Sequence, residues 1–123
     1  MTRREPYEYA IIRVVPDVAR GECMNAGVLL YCKNLGFLAA AVDLDCDRLL
    51  ALAPGIDTVA VARSLEAAAD CEPRDGENIG QRFRWLTAPR STVISPGPVH
   101  TGLTADPAAE LARLLTALVK PSV

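Results

Sequence analysis

The segment from Arg82 to Gly102, RFRWLTAPRSTVISPGPVHTG, gathers the side chains best suited to chemistry in this chain. It carries Arg82, Arg84 and Arg90, the hydroxyls of Thr87, Ser91, Thr92, Ser95 and Thr101, and the sole histidine, His100. From Asn78 to Ala105 there is no Asp or Glu to compete for the guanidiniums. Guanidinium forks match the oxygens of phosphate and carboxylate, and hydroxyls with backbone N–H groups complete such a cradle. Gly97 and Gly102 would let the backbone come close to a ligand. The expected chemistry is therefore an anion- or partner-binding site built from Arg82, Arg84, Arg90, Ser91, Thr92, His100 and Thr101. A plainer alternative stays open: Arg82 and Arg84 pair with the acidic loop at 72–77, and Trp85 joins the core.

A second polar cluster comprises Arg13, Glu22 and Asn25, around the turn Arg20-Gly21-Glu22. Glu22 can act as a base or pair with Arg13 or Arg20. Arg13 is out of place in an apolar strand, because a buried guanidinium needs a partner, for which Asp43 is one option.

Other chemistries lack their signatures. A nucleophile would need a Ser or Cys beside His100 with an orienting acid, and there is no GxSxG elbow. GxxxxGK[ST] and GxGxxG are both absent, so neither a P-loop nor a dinucleotide fold is expected, and no cofactor is implied. The four cysteines, Cys23, Cys32, Cys46 and Cys71, are spaced by 9, 14 and 25 residues. Zinc sites bring ligands in close pairs, so no metal is expected, and buried or semi-buried free thiols are the simpler reading. Net charge is −2, from 15 acidic and 13 basic side chains, which argues against binding nucleic acid through an overall basic field.

The elements that must position these residues follow from pattern. A length of 123 residues sets a single domain, 1–123, and a 50% hydrophobic content supports a core. Tyr7–Val15 reads as a strand with Tyr7, Tyr9, Ile11 and Arg13 on one face and Ala10, Ile12 and Val14 on the other. Ala26–Cys32, apolar on both faces, and Phe37–Leu44 follow through short connections, giving an antiparallel meander. Asp45 or Asp47 caps a short helix ending at Pro54-Gly55, and Asp57 caps a longer one from Thr58 to about Asp70. Gln81–Ala88 fits either a strand or a helix. Ser91–Ser95 reads as a short strand or extended segment, and Val99–Thr104 as extended or looped. Asp106 with Pro107 opens an amphipathic helix through Leu111, Leu114, Leu115 and Leu118. The expected class is α+β: an antiparallel sheet starting with a three-stranded meander, helices packed on one face and a C-terminal amphipathic helix. The second strand's other apolar face would then meet the later extended segments or a second copy of the chain, so a homodimer is an expectation. No apolar run approaches a membrane span, and MTRREPYEYA is no signal peptide, so the cytoplasm is the expected location.

Five runs, YEYAIIRVVP, RGECMNAGVLLYC, GFLAAAVDLD, RFRWLTAPRSTVISPGPVHTGLT and DPAAELARLL, together resemble one bacterial family, catalogued as domain of unknown function 3037. The resemblance spans nearly the whole chain and is most specific from Trp85 to Thr101. It implies no particular reaction. It does imply genes lying beside those for kinases that look like HipA, the toxin-type serine/threonine kinase, and hence a small protein-binding or regulatory partner of such a kinase. The alternative expectation is a small enzyme or sensor that binds a phosphorylated or carboxylate ligand through the Arg/Ser/Thr/His-rich segment.

Overall fold

β1 (Glu5–Val14) is the strand on which everything else is registered. Its alternation buries Ala10, Ile12 and Val14 on one face and Tyr7 on the other. The computed structural model describes residues 3–90 and 92–120. β2 (Met24–Cys32) pairs antiparallel with β1, and β3 (Phe37–Val42) pairs antiparallel with β2. The β2–β3 connection is a single 3₁₀ turn, Lys33–Leu35, closed by Gly36 at φ 61°, a left-handed conformation that glycine adopts without steric cost. The expected three-stranded meander is present.

A β-bulge lies inside β2. Ile12 pairs with Gly27 but Arg13 pairs with Asn25, so Ala26 is an extra residue. The bulge changes which positions share a face. Met24 and Ala26 before it pack with Leu29 and Tyr31 after it, while Val28, Leu30 and Cys32 form part of the opposite face's core.

Beyond β1 the sheet continues with β4 (Ile94–Pro96) and β5 (His100–Thr104). β4 pairs with the C-terminal half of β1, β5 with its N-terminal half, both antiparallel. They are two halves of one edge strand interrupted at Gly97-Pro98-Val99, so the lateral order is β3-β2-β1 and then β4 with β5.

The helices are α1 (Cys46–Leu52), α2 (Thr58–Ala68), α3 (Ile79–Leu86) and α4 (Pro107–Leu118). Each starts on a side-chain cap that accepts orphan N–H groups: Asp45, Asp57, Asn78 and Asp106. Gln81–Ala88, which fits two periods, is resolved as helix up to Leu86. Asn78 and Gln81 form a reciprocal capping box that nucleates α3, with Phe83 and Leu86 on its buried face.

The expectation that all helices share one face is corrected. Leu49 of α1, Val61 and Leu65 of α2, and Phe83 and Leu86 of α3 pack on one side with Ile12, Leu29 and Tyr31. Leu111 and Leu114 of α4 pack on the other with Tyr7, Val28 and Leu30. The physical reason lies in β2, whose two apolar faces both need a cover. Tyr7 donates a hydrogen bond to Glu110, and Arg113 holds the same carboxylate at 2.6 and 2.8 Å, which ties α4 to β1. Among the described residues no helix is long and apolar enough to cross a membrane.

Candidate functional site

The Arg-rich segment does not form one pocket. α3, the bend after it and the edge strand distribute its side chains over three places.

Arg82 is 2% exposed, and its Nε and Nη2 donate to the Asp70 carbonyl at 3.0 and 2.8 Å. Glu77 stands 3.9 Å from the same guanidinium. Arg82 thus fastens the loop after α2 to α3. Asp70, anchored through the Glu72 amide and the Arg74 guanidinium, has its carboxyl held below the usual range. Next to it, burial pushes the Cys71 thiol up to about 11.

Trp85 leaves the core rather than joining it. It is 53% exposed, with the Arg82 guanidinium 4.7 Å and the Arg90 guanidinium 4.9 Å from its ring centre. Arg90 also donates from Nη2 to the Trp85 carbonyl at 2.7 Å and from Nε to the Ala88 carbonyl at 3.3 Å. The Thr92 hydroxyl donates to the Ile94 carbonyl, and the Ser95 hydroxyl to the Arg90 carbonyl at 3.0 Å. Ser91 lies outside the described residues. Trp85, Arg90, Thr92, Val93 and Ile94 face Ser64, Ala67 and Ala68 of α2 across a groove of about 470 Å³. The groove continues past Val93 to Ala60 and Pro16.

Arg84 reaches across to β1 and pairs with Glu8 at 2.8 Å, which raises the guanidinium's pKa further. The expected partners in the 72–77 loop therefore serve Arg82 but not Arg84. Glu8, Tyr31, Lys33, Arg84 and the first turn of α3 line a groove of about 710 Å³. Thr101, opposite Glu8 in the β1–β5 ladder, lines a smaller cleft with Glu8, Tyr31 and Lys33.

His100 is opposite Tyr9 in the ladder and its ring lies 5.2 Å from the tyrosine ring. Neighbours in a strand project to opposite faces, so His100 and Thr101 are on different sides of the sheet. Gly97 and Gly102 accommodate protein rather than ligand. A Cβ at Gly102 would stand 2.6 Å from the Tyr7 ring, and Gly97 abuts Arg13.

Of the second cluster, Arg13 and Asn25 are cross-strand neighbours. Asn25 donates to the Leu118 carbonyl at 3.0 Å, holding the end of α4. Arg13 donates to the Pro96 carbonyl at 3.4 Å, and its Nε is buried with no partner among the described residues. Glu22 pairs with Arg20, leaving it apart from the other two. All four cysteines are free. Cys32 is buried and Cys71 half-buried, whereas Cys23 and Cys46 are exposed, contrary to the expectation of burial. Among the described residues no three His, Cys, Asp or Glu side chains stand together to hold a metal.

Residue-type reasoning missed Glu8, Tyr31, Lys33 and Gly80, which meet only through the β2–α3 packing. The available signal was Asn78-x-x-Gln81, a capping box that would have placed the first turn of a helix there.

The class these features define is a small α+β protein with helices on both faces of an antiparallel sheet and two grooves flanking α3. Residues 9–119 match the family model described as Protein of unknown function (DUF3037), and the chain belongs to that family. No curated protein and no solved structure matches it.

Proposed function

We propose that the chain is a protein-binding module, a regulatory partner of a HipA-like kinase acting in the cytoplasm, and that it grips its partner at the Trp85–Arg90 groove. The observation that carries this reading is the exposed Trp85 between two guanidiniums. Trp and Arg dominate the energetic centres of protein interfaces, where a rigid aromatic gives apolar area and a guanidinium gives directed hydrogen bonds. Arg90 is pre-organised by its two carbonyl contacts and keeps further N–H groups for a partner's carboxylate or carbonyl. Ala67, Ala68 and Val93 supply apolar walls beside it. The family resemblance supports the choice of partner. The test is co-expression of the chain with a HipA-like kinase. A complex of equal stoichiometry through size exclusion supports the reading, and two separate peaks contradict it.

Self-association is a second reading, carried by a different observation. β3 is the outer strand of the sheet, and its sequence FLAAAV has no charge, Pro or bulge to block pairing. The Asp43 amide donates to the Ala26 carbonyl at 2.8 Å, which fixes the alternation: odd residues of β3 bond to β2, and Leu38, Ala40 and Val42 present their N–H and C=O groups outward. A two-fold axis at Ala40 pairs these three with their counterparts. It also brings the Lys33 end of one copy towards the Asp43, Asp45 and Asp47 end of the other.

A further inference from the structure

We propose that the Trp85 groove, followed to its far end, receives one amphipathic helix of the partner, laid along α2 with an acidic residue over Arg90 and a basic residue over Asp57. This inference rests on the partner reading above and goes beyond it by naming the element that docks and the charges it carries.

Length and floor come from α2. One cleft is lined by Ser64, Ala67, Ala68, Trp85 and Val93, the next by Asp57, Ala60, Ser64 and Val93, so the two are continuous through Ser64 and Val93. From Asp57 to Ala68 the trough runs roughly 16 Å at about 1.5 Å per residue, or about three helical turns. Ala60, Ser64, Ala67 and Ala68 are small, so the axis of a second helix can come close. Trp85 and Val93 stand exposed beside that floor and offer apolar surface to the side chains of an incoming element.

The opposite wall decides between helix and strand. The Val15 amide donates to the Val93 carbonyl at 2.6 Å and the Gly97 amide to the Ile11 carbonyl at 2.7 Å. Odd residues of this stretch therefore bond to β1, and Ile94 and Pro96 present their backbone outward. Those outward groups are already engaged. The Thr92 hydroxyl donates to the Ile94 carbonyl, the Arg13 guanidinium donates to that of Pro96, and Pro96 has no N–H. An extended segment would find no ladder to join here, and its own amides and carbonyls would lie against Ala67, Ala68 and Val93 without partners. A helix satisfies its backbone internally and binds through side chains alone. The charges then fix which way round it lies. Arg90 makes no ion pair among the described residues and sits at the Trp85 end, whereas Asp57 lines the other end, with Asp17 beyond it across Pro16. Opposite charges at the two ends are matched by a helix that carries an acid at one end and a base at the other.

The experiment compares the affinity of a HipA-like kinase for the parent chain, for Ala60→Arg and Ser64→Arg on α2, and for Ala112→Arg on α4, and then follows hydrogen exchange of the kinase in the complex. All three positions are exposed on helices, where arginine is a good helix former, so the variants keep the fold. A long side chain in the floor should weaken binding at least about thirtyfold, against a parent-like value for Ala112→Arg. The kinase segment protected from exchange is expected to be helical, and a peptide of that segment should gain helicity in circular dichroism when the chain is added. Arg90→Glu should weaken binding at least about tenfold, and changing the facing acidic residue of the segment to lysine should recover it. No complex at all overturns both this inference and the partner reading. A complex weakened by Trp85→Ala but not by Ala60→Arg and Ser64→Arg, or a protected segment that is extended, overturns the helix and leaves the partner reading standing.

Discussion

Arg90 and Trp85 are joined twice: the guanidinium lies 4.9 Å from the indole ring centre, and its Nη2 donates to the Trp85 carbonyl at 2.7 Å. The second contact fixes the geometry of the first. Lysine keeps the charge but has neither the planar fork nor the stacking surface. Arg90→Lys should therefore weaken partner binding about tenfold, roughly 1.4 kcal/mol, while stability changes by no more than about 0.5 kcal/mol. Calorimetric titration and urea unfolding measure the two effects separately.

Arg82 is expected to behave in the opposite way. Its side chain is buried and supplies both donors to the Asp70 carbonyl. Truncation in Arg82→Ala leaves that acceptor unsatisfied and removes packing under Trp85, so a loss of about 1–3 kcal/mol in urea unfolding is expected. A stability equal to that of the parent chain would contradict the role of Arg82 as the fastener of the loop to α3.

The Tyr7–Glu110–Arg113 link gives stability a pH dependence at both ends. Arg113 first, and then Tyr7, hold the Glu110 carboxyl below its usual range. Its contribution is present above the unfolded value and lost as pH falls through the folded one. Burial and Glu110 push the Tyr7 hydroxyl from 10.0 up to about 12, so its contribution is present below 10.0 and lost as pH rises towards about 12. Thermal midpoints measured across pH should fall at both extremes. Tyr7→Phe should reduce the alkaline fall without removing it, because the half-buried Cys71 thiol, pushed from 9.0 up to about 11, also loses its contribution as pH rises.

The antiparallel meander, the Asp-capped α1 and α2 and the amphipathic α4 were legible, because each rests on short-range pattern: turn residues, Asp caps and a leucine repeat. The helix α3 was not, because Gln81–Ala88 fits two periods and its cap is Asn78. The two-sided helix cover was less so. β2 is apolar at nearly every position, and the Ala26 bulge removes the period-two signal that would have assigned its faces. The site was legible only in part. Arg84 and Thr101 flank the β2–α3 groove and Arg90 and Thr92 the Trp85 groove, but His100 is on the other side of the sheet. Sequence proximity across a strand of alternating direction does not mean spatial proximity, and Glu8, Tyr31 and Lys33 come from residues far away in the chain.

The free edge of β3 predicts a dimer that dissociates on dilution, because a short ladder buries little area. Light scattering over a concentration series should move from 13.2 kDa towards twice that mass. Proline removes an N–H that β2 does not use at position 40, so Ala40→Pro should keep the fold by circular dichroism and hold the chain at the monomer mass. A parent chain that stays monomeric at every concentration would end the self-pairing reading.

The most direct test of the central claim is the affinity of the HipA-like kinase for the parent chain, Trp85→Ala and His100→Ala, measured side by side. Binding at the Trp85 groove predicts a loss of at least about 2 kcal/mol, some thirtyfold, for Trp85→Ala and parent-like affinity for His100→Ala. Parent-like affinity in Trp85→Ala, or an equal loss in His100→Ala, would place the interface elsewhere and contradict the account.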